Sequence, residues 1–156
     1  MTGYITELRK IVGQVCLIQC GATVIVVNEK GELLLQRRKD NNCWGFHGGG
    51  VEPNEVVEDA ARRELYEETG LVADKLELFG VFSGPDMHYT YPNGDEVSNI
   101  DIVYICRSYS GDLKAQESEV TELRFFALAE LPDNISPPQQ KVLRSYVEHT
   151  GVVLPC

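Results

Sequence analysis

Short apolar runs separated by turn residues predict several β-strands in this chain. Residues 22–27 and 32–37 are two such runs, and the polar stretch 28–31 between them predicts a hairpin turn. Residues 76–83, 97–109 and 123–128 have the apolar, β-branched and aromatic content of further strands, with a PNGD turn at 92–95. A helical turn is predicted at 129–131. The apolar stretch 11–27 is interpreted as core strands.

Two segments have the 3.6-residue apolar period of amphipathic helices. The first covers about residues 55–69, with Asn54 as its predicted N-cap and Gly70 as the residue that ends it. The second covers 139–149 and stops near Gly151. Helices alternating with strands and hairpins indicate an α/β fold, an α/β/α sandwich with a mixed β-sheet.

Composition places the chain among ordinary globular proteins. It has 156 residues, 43% hydrophobic and 24% charged, which suits one domain with a proper core. Because the sequence shows no linker, repeat or low-complexity tract, we expect a single domain over 1–156.

The formal net charge of −10 disfavours binding to nucleic acid or to an anionic membrane surface. No stretch reaches about 18 uninterrupted apolar residues, so no membrane span is expected.

The five cysteines form no CxxC pair, which indicates reduced thiols and a cytoplasmic protein. Cys16, Cys20 and Cys106 are expected to act as small core residues.

The first predicted helix concentrates negative charge on one face. Glu64, Glu67 and Glu68 are related by steps of three and four residues, near the negative end of the helix dipole. Arg63 can pair with Glu67 but cannot neutralise three carboxylates. A solvated acidic face is one interpretation. The other is a site for a hard divalent cation, which prefers oxygen ligands and is often shared between carboxylates and phosphates.

Three glycines precede this helix, at Gly48, Gly49 and Gly50. Without side chains they let the backbone approach a ligand closely, and they can offer N–H groups to a phosphate or a carbonyl to a metal. The glycine loop therefore adds weight to the cation interpretation.

The same region resembles the Nudix box. Gly49, Glu55, Arg63-Glu64-Leu65, Glu67-Glu68 and Gly70-Leu71 match all nine fixed positions of that 23-residue pattern. The flanking LLLQRR, WGF and RFFALAELP segments also look like Nudix flanks, so the resemblance extends over about 21–132.

This resemblance implies a Nudix (MutT-like) pyrophosphohydrolase that needs Mg2+, with Mn2+ as a substitute, and cleaves a P–O–P bond in a nucleoside diphosphate-linked substrate. It implies that Glu67 and Glu68 are metal ligands, with the Gly49 carbonyl as a further ligand. Glu64 is then either a ligand or the base that deprotonates water. Arg63 orients these carboxylates, and Glu55 pairs within the loop and helix.

One position departs from the family pattern. Nudix proteins often have proline before the glycine pair, whereas this chain has His47. A lone histidine is more often structural than a ligand, yet its place beside the glycines makes it a candidate substrate contact that titrates near neutral pH.

Outside the box, several side chains are candidates for binding substrate or metal. Arg37 and Arg38 end a strand and suit phosphate, but strand alternation allows at most one of them to face the site. Of three glutamates in the loop before the last strand, Glu119 is favoured over Glu117 and Glu122 as a further metal ligand or base. The aromatic candidates for stacking on a base are Trp44, Phe82, Tyr89 and Tyr91.

The substrate stays open at this point. A nucleoside triphosphate, ADP-ribose and a dinucleoside polyphosphate all fit, and RNA fits least because of the acidic charge. Pro85 resembles a marker of ADP-ribose hydrolases and Tyr89 one of dinucleoside polyphosphate hydrolases, so the markers disagree. The alternatives to hydrolysis are a nucleotide-sensing module and an isoprenyl diphosphate isomerase. Many relatives pair, so a homodimer is also open.

Overall fold

A computed structural model describes residues 3–152 of the chain. Its helices are α1 (Tyr4–Val12), α2 (Val57–Thr69) and α3 (Pro137–Thr150). The strands are β1 (Leu17–Val26), β2 (Leu33–Arg38), β3 (Trp44–Gly45), β4 (His47–Gly50), β5 (Val72–Phe82), β6 (His88–Thr90), β7 (Glu96–Ser110) and β8 (Val120–Phe126). Short 3-10 turns lie at Pro85–Met87 and Leu128–Glu130.

The strands form two sheets. In the larger sheet the order is β4-β1-β7-β5, and β6 also pairs with β7. Its β1 and β7 run parallel while the other pairs are antiparallel, so the sheet is mixed. The smaller sheet has the order β3-β2-β8.

Alternation along the strands divides the core between two helices. Val24, Val26 and Leu34 pack with Ala60, Ala61 and Leu65 of α2. The intervening residues pack with α3, whose buried residues are Val142, Leu143, Tyr146 and Val147. Successive strand residues thus pack alternately against α2 and α3, which lie on opposite faces, and this confirms the predicted α/β/α arrangement.

Three predictions about the first 40 residues were wrong. The stretch 11–27 does not begin as a core strand, because residues 11 and 12 end helix α1 and Ile11 is 83% exposed. Cys16 and Cys20 are exposed, because the start of β1 projects beyond the part of the sheet that α2 covers, whereas Cys106 is buried as predicted. The turn at 28–31 is present, but β1 and β2 share only one bridge before they enter different sheets.

The glutamate-rich helix α2 begins later than predicted and ends as predicted. Its N-cap is Val56, because Asn54 has φ 65°, a left-handed turn conformation that asparagine tolerates. Gly70 ends α2 with φ 75° and donates its N–H to the carbonyl of Tyr66. In the part of the chain that the structure describes, no helix is long and apolar enough to cross a membrane.

Candidate active site

Arg63 connects the acidic face of α2 to the loop before it. Its guanidinium donates to both oxygens of Glu55, at 2.7 and 3.0 Å, and to Glu64 at 2.6 Å. It also donates to the Gly50 carbonyl at 3.2 Å and lies 3.6 Å from Glu67. The planar guanidinium of Arg63 therefore fixes the position of the glycine-rich strand β4 relative to α2.

Glu68 is the most buried of the predicted metal ligands, with only 5% of its surface exposed. Its Oε2 accepts hydrogen bonds from Gln36 Nε2 at 3.1 Å and from the Gly48 N–H at 3.0 Å. Burial, with the nearby charge of Glu64, raises the pKa of Glu68 to about 8.

Glu64 lies directly against the glycine strand. A Cβ placed on Gly49 would be 2.5 Å from Cδ and Oε1 of Glu64. Any residue other than glycine at position 49 would therefore displace this carboxylate. Burial also raises the pKa of Glu64. Glu67 is more exposed, on the outer side of the same helix face.

A loop from the other end of the chain adds a fourth carboxylate. The Lys114 N–H donates to the Thr69 carbonyl at 2.8 Å, which seats this loop on the end of α2. The charge of Glu119 then acts on Glu64 and contributes to its raised pKa. Glu122 instead pairs with Arg124 at 3.4 Å.

The donors of this cluster are all oxygens. Glu64, Glu67 and Glu68 lie on one face of α2, Gly49 packs against the Glu64 carboxylate, and the charge of Glu119 acts on Glu64. Such a set fits a hard divalent cation better than a soft one.

A pocket lies beside the cluster, next to the glycine strand β4. Its floor is formed by alternate residues of β1 and β7, and its sides by the loop and strand that carry Tyr89 and Tyr91. Tyr89 and Tyr91 meet edge to face at 4.9 Å, and Asn41 Nδ2 donates to the Tyr89 hydroxyl at 3.0 Å. The lining residues include Gln19, Gly21, Thr23, Arg38, Gly48, Gly49, Met87, Asn99, Asp101 and Gln139.

Comparison with known proteins identifies this arrangement. Residues 18–146 match the model of the NUDIX domain. The chain belongs to the Nudix family. It is therefore a hydrolase that acts on pyrophosphate bonds, and Nudix hydrolases use divalent metal ions.

Individual relatives agree on the family. An ADP-ribose pyrophosphatase of Methanocaldococcus jannaschii is 36% identical over 125 residues, which are 78% of this chain and 69% of that protein. An RNA pyrophosphohydrolase of Marinomonas sp. is 43% identical over 61 residues, 39% of this chain and 38% of that protein. The crystal structure of a MutT NUDIX hydrolase from Burkholderia pseudomallei is similar with a TM-score of 0.70 and 29% identity, over 82% of this chain and 97% of that chain.

The two arginines at the end of β2 have different surroundings. Arg38 lines the pocket and donates to both oxygens of Asp40, at 3.0 and 2.7 Å. Arg37 follows the alternation to the other face, outside the pocket lining, and its Nε is buried without a hydrogen-bond partner. Of this pair, only Arg38 is placed to meet a ligand in the Nudix pocket.

Three expectations about substrate contacts need correction. His47 is fully buried, outside the pocket lining, and burial lowers its pKa to about 4, so it does not titrate near neutral pH. The Gly48 N–H is not free for phosphate, because it donates to Glu68. Gly50 lies outside the pocket lining, with its carbonyl held by Arg63.

The four aromatic candidates separate into core and pocket. Trp44 is buried against Phe126, with ring centroids 4.9 Å apart, and Phe82 packs beside Phe79. Tyr89 and Tyr91 line the pocket. The two tyrosines are flanked by polar and turn residues in HYTYPNGD, which was a sequence signal for their exposure to the pocket.

Sequence reasoning missed two polar side chains of the site. Gln36 binds Glu68 from β2, and Asp101 lies on the pocket floor, where Thr23 Oγ1 donates to it at 2.9 Å. Burial raises the pKa of Asp101 to about 6. A signal was available for both, because each interrupts a buried apolar strand, in LLLQRR and NIDIVYI.

Proposed function

We propose that this protein hydrolyses a P–O–P bond of a nucleoside diphosphate-linked small molecule with Mg2+ as cofactor. The observation that carries the proposal is the position of the glycine strand. Gly49 contacts the Glu64 carboxylate and also lines the pocket that holds Arg38, Tyr89 and Asp101. A substrate with its nucleoside in the pocket therefore extends its phosphates toward the carboxylates.

In this proposal the cation is held by the carboxylates of Glu64, Glu67, Glu68 and Glu119 and by the Gly49 carbonyl. Bound there, Mg2+ would neutralise phosphate charge and lower the pKa of a water molecule. Mn2+, with similar oxygen preferences, is expected to substitute. Arg63 positions Glu64 and the glycine strand. Glu64 either joins the ligands or accepts the proton of the attacking water.

Binding of the substrate is assigned to the pocket. Arg38 presents a guanidinium whose N–H groups that Asp40 does not engage can donate to a phosphate oxygen. Tyr89 or Tyr91 offers an aromatic face or edge to the nucleobase. The glycines at 48 and 49 keep the floor beside the phosphates free of side chains.

Asp101 is assigned to the nucleobase end of the pocket. Both of its oxygens share a single hydroxyl donor, that of Thr23, so most of its acceptor capacity is unused. A buried carboxylate in this state favours a ligand with N–H donors. Guanine presents two adjacent donors, whereas adenine presents a donor beside an acceptor.

Small nucleotides are favoured over RNA as substrates. The net charge of −10 opposes a long anionic chain, and the similarity to the RNA pyrophosphohydrolase covers only 39% of this chain. The M. jannaschii relative named for ADP-ribose matches over 78% of the chain and keeps ADP-ribose in the test set beside nucleoside triphosphates.

The test is a turnover panel read by mass spectrometry. Nucleoside and deoxynucleoside triphosphates, oxidised dGTP, ADP-ribose, sugar nucleotides and dinucleoside polyphosphates are incubated with Mg2+, Mn2+ or EDTA. We expect metal-dependent cleavage of at least one compound, and loss of that cleavage in Glu68→Gln, which keeps the shape of the side chain but removes its charge. Turnover in Glu68→Gln within a few-fold of the parent would refute the metal assignment.

Asp101→Asn extends the panel to the nucleobase. The amide has one acceptor and one donor, which matches adenine rather than guanine. We expect the ratio of kcat/KM for GTP to that for ATP to fall by about 10-fold or more in this variant. An unchanged ratio would remove Asp101 from base recognition without affecting the proposed hydrolysis.

A further inference from the structure

A second group of metal-ligating side chains lies outside the Nudix site. Cys16 precedes β1, His88 begins β6 and Glu96 begins β7, and one ligand atom of each lies within 4.8 Å of the other two. None of the three lines the pocket. Their chemistry differs from that of the Nudix carboxylates, because a thiol, an imidazole and a carboxylate together suit a borderline-soft ion.

Strand pairing explains why three distant residues meet. β7 lies between β1 and β6 at this end of the sheet, with Leu17 opposite Val97 and His88 opposite Ser98. Cys16 and Glu96 are the residues directly before Leu17 and Val97. The two strand starts and the β6 hairpin therefore present one side chain each to the same face.

The spacing of the ligand atoms suits tetrahedral coordination. His88 Nε2 lies 3.0 Å from Glu96 Oε2. Zinc bonds of about 2.0 Å to nitrogen and oxygen place two such ligands about 3.3 Å apart in a tetrahedron. Small side-chain rotations therefore bring the pair to coordination distance, and the exposed Cys16 thiol has room to complete three ligands.

The backbone around these ligands is held by α1. Arg9 donates to the carbonyl of Val15, the neighbour of Cys16, at 2.6 Å and also to the carbonyl of Glu96. Gln14 Nε2 donates to the Asn93 carbonyl at 3.0 Å. One guanidinium thus joins the two strand starts that carry Cys16 and Glu96, which reduces the ordering cost of binding an ion.

We propose that Cys16, His88 and Glu96 form a binding site for one Zn2+-like ion, with solvent at the remaining position. A bound ion joins the segment before β1 to the β6 hairpin. Because Tyr89 follows His88 directly and lines the pocket, the ion stabilises one wall of the substrate pocket. This site is independent of the Nudix carboxylates and of the proposed reaction.

Cobalt and zinc titrations of the metal-free, reduced protein test the proposal. Excess Mg2+ is present throughout, so that the hard oxygen ligands of the Nudix site are occupied. We expect one equivalent of Co2+ to produce a thiolate-to-metal charge-transfer band and the visible spectrum of a tetrahedral ion. Calorimetry should give one Zn2+ per chain.

Cys16→Ser and His88→Gln should each weaken Zn2+ binding by at least about 100-fold, and Cys16→Ser should abolish the thiolate band. Cys20→Ser is the matched control, since Cys20 is also an exposed thiol, lies four residues further along the chain in β1 and is outside the cluster. It should bind Zn2+ like the parent. A band that survives Cys16→Ser, or that is lost equally in Cys20→Ser, overturns the proposal. So does the absence of a band in the parent.

Discussion

The carboxylate of Glu64 packs on the backbone of Gly49, at a distance that leaves no room for a β-carbon. This contact joins the glycine strand to helix α2 and fixes where the carboxylate points. Arg63 holds the same carboxylate from its other side at 2.6 Å.

Gly49→Ala should therefore reduce activity much more than stability. The new methyl group displaces the end of the flexible Glu64 side chain, so the fold survives while the carboxylate moves. Because a shift of about 1 Å at a reacting centre costs about 100-fold, we expect kcat/KM to fall by about that factor. Gly80→Ala is the control, since its Cβ would meet Phe82 at an ordinary 3.4 Å. Near-parental kcat/KM in Gly49→Ala would contradict the packing argument.

Removal of metal should destabilise the folded protein through Glu68. Burial and the nearby charge of Glu64 disfavour the ionised form of Glu68, and a cation bound only to the folded state offsets this cost. Melting in Mg2+ should occur several degrees above melting in EDTA. In Glu68→Gln the difference between the two conditions should shrink or vanish, as differential scanning fluorimetry can show. An undiminished difference would place the stabilising ion elsewhere.

Arg38 and Arg37 form a natural pair for mutagenesis. Arg38→Ala removes the pocket guanidinium, and loss of a charged hydrogen bond to phosphate should raise KM by about 10-fold or more. Arg37→Ala makes the same change on the opposite face and should leave KM within about 3-fold of the parent. Steady-state kinetics on the substrate found in the panel decide the matter. Equal effects would mean that neither arginine contacts the substrate directly.

Glu119 and Glu117 offer a similar comparison in the loop on the end of α2. Of these two glutamates, Glu119 is the one whose charge adds to burial in raising the pKa of Glu64, so Glu119→Gln should lower kcat by at least about 10-fold. Glu117→Gln removes a neighbouring charge without touching the cluster and should leave kcat unchanged. A loss of activity in both variants would indicate a long-range charge effect instead.

Asp101 should make stability depend on pH in a defined direction. Its pKa is about 6 in the folded protein against an ordinary 3.8, so the folded state holds the proton more tightly. The resulting stabilisation is complete below about pH 3.8 and is lost as the pH rises through 6. Cys20, whose pKa the charge of Asp101 helps to raise, and the pocket residues Arg38, Tyr89 and Tyr91 remain in both proteins.

Urea denaturation of the parent and of Asp101→Asn from pH 4 to 7 measures this effect. The free energy of unfolding of the parent, minus that of the variant, should fall as the pH rises and level off above about 6. This difference between the two free energies of unfolding cancels the contributions of groups that titrate alike in both proteins. Parallel curves would show that Asp101 titrates normally.

Local sequence patterns predicted the elements whose signals lie within one turn or one strand. The Nudix box, the end of α2 at Gly70 and the long strand β7 were found this way, because helical spacing, glycine conformation and apolar runs act over a few residues. The family followed from nine residues inside one such segment.

Only the tertiary structure decided which of these elements meet. β1 and β2 were expected to form a hairpin, yet strand partners are chosen by side chains far along the chain, and the two enter different sheets. The same long-range packing buried His47, turned Arg38 rather than Arg37 into the pocket and placed Asp101 on its floor. Sequence alone determined the family and the carboxylates and arginine of the box. The tertiary structure decided which side chains share a site, because burial and distance depend on contacts between distant segments.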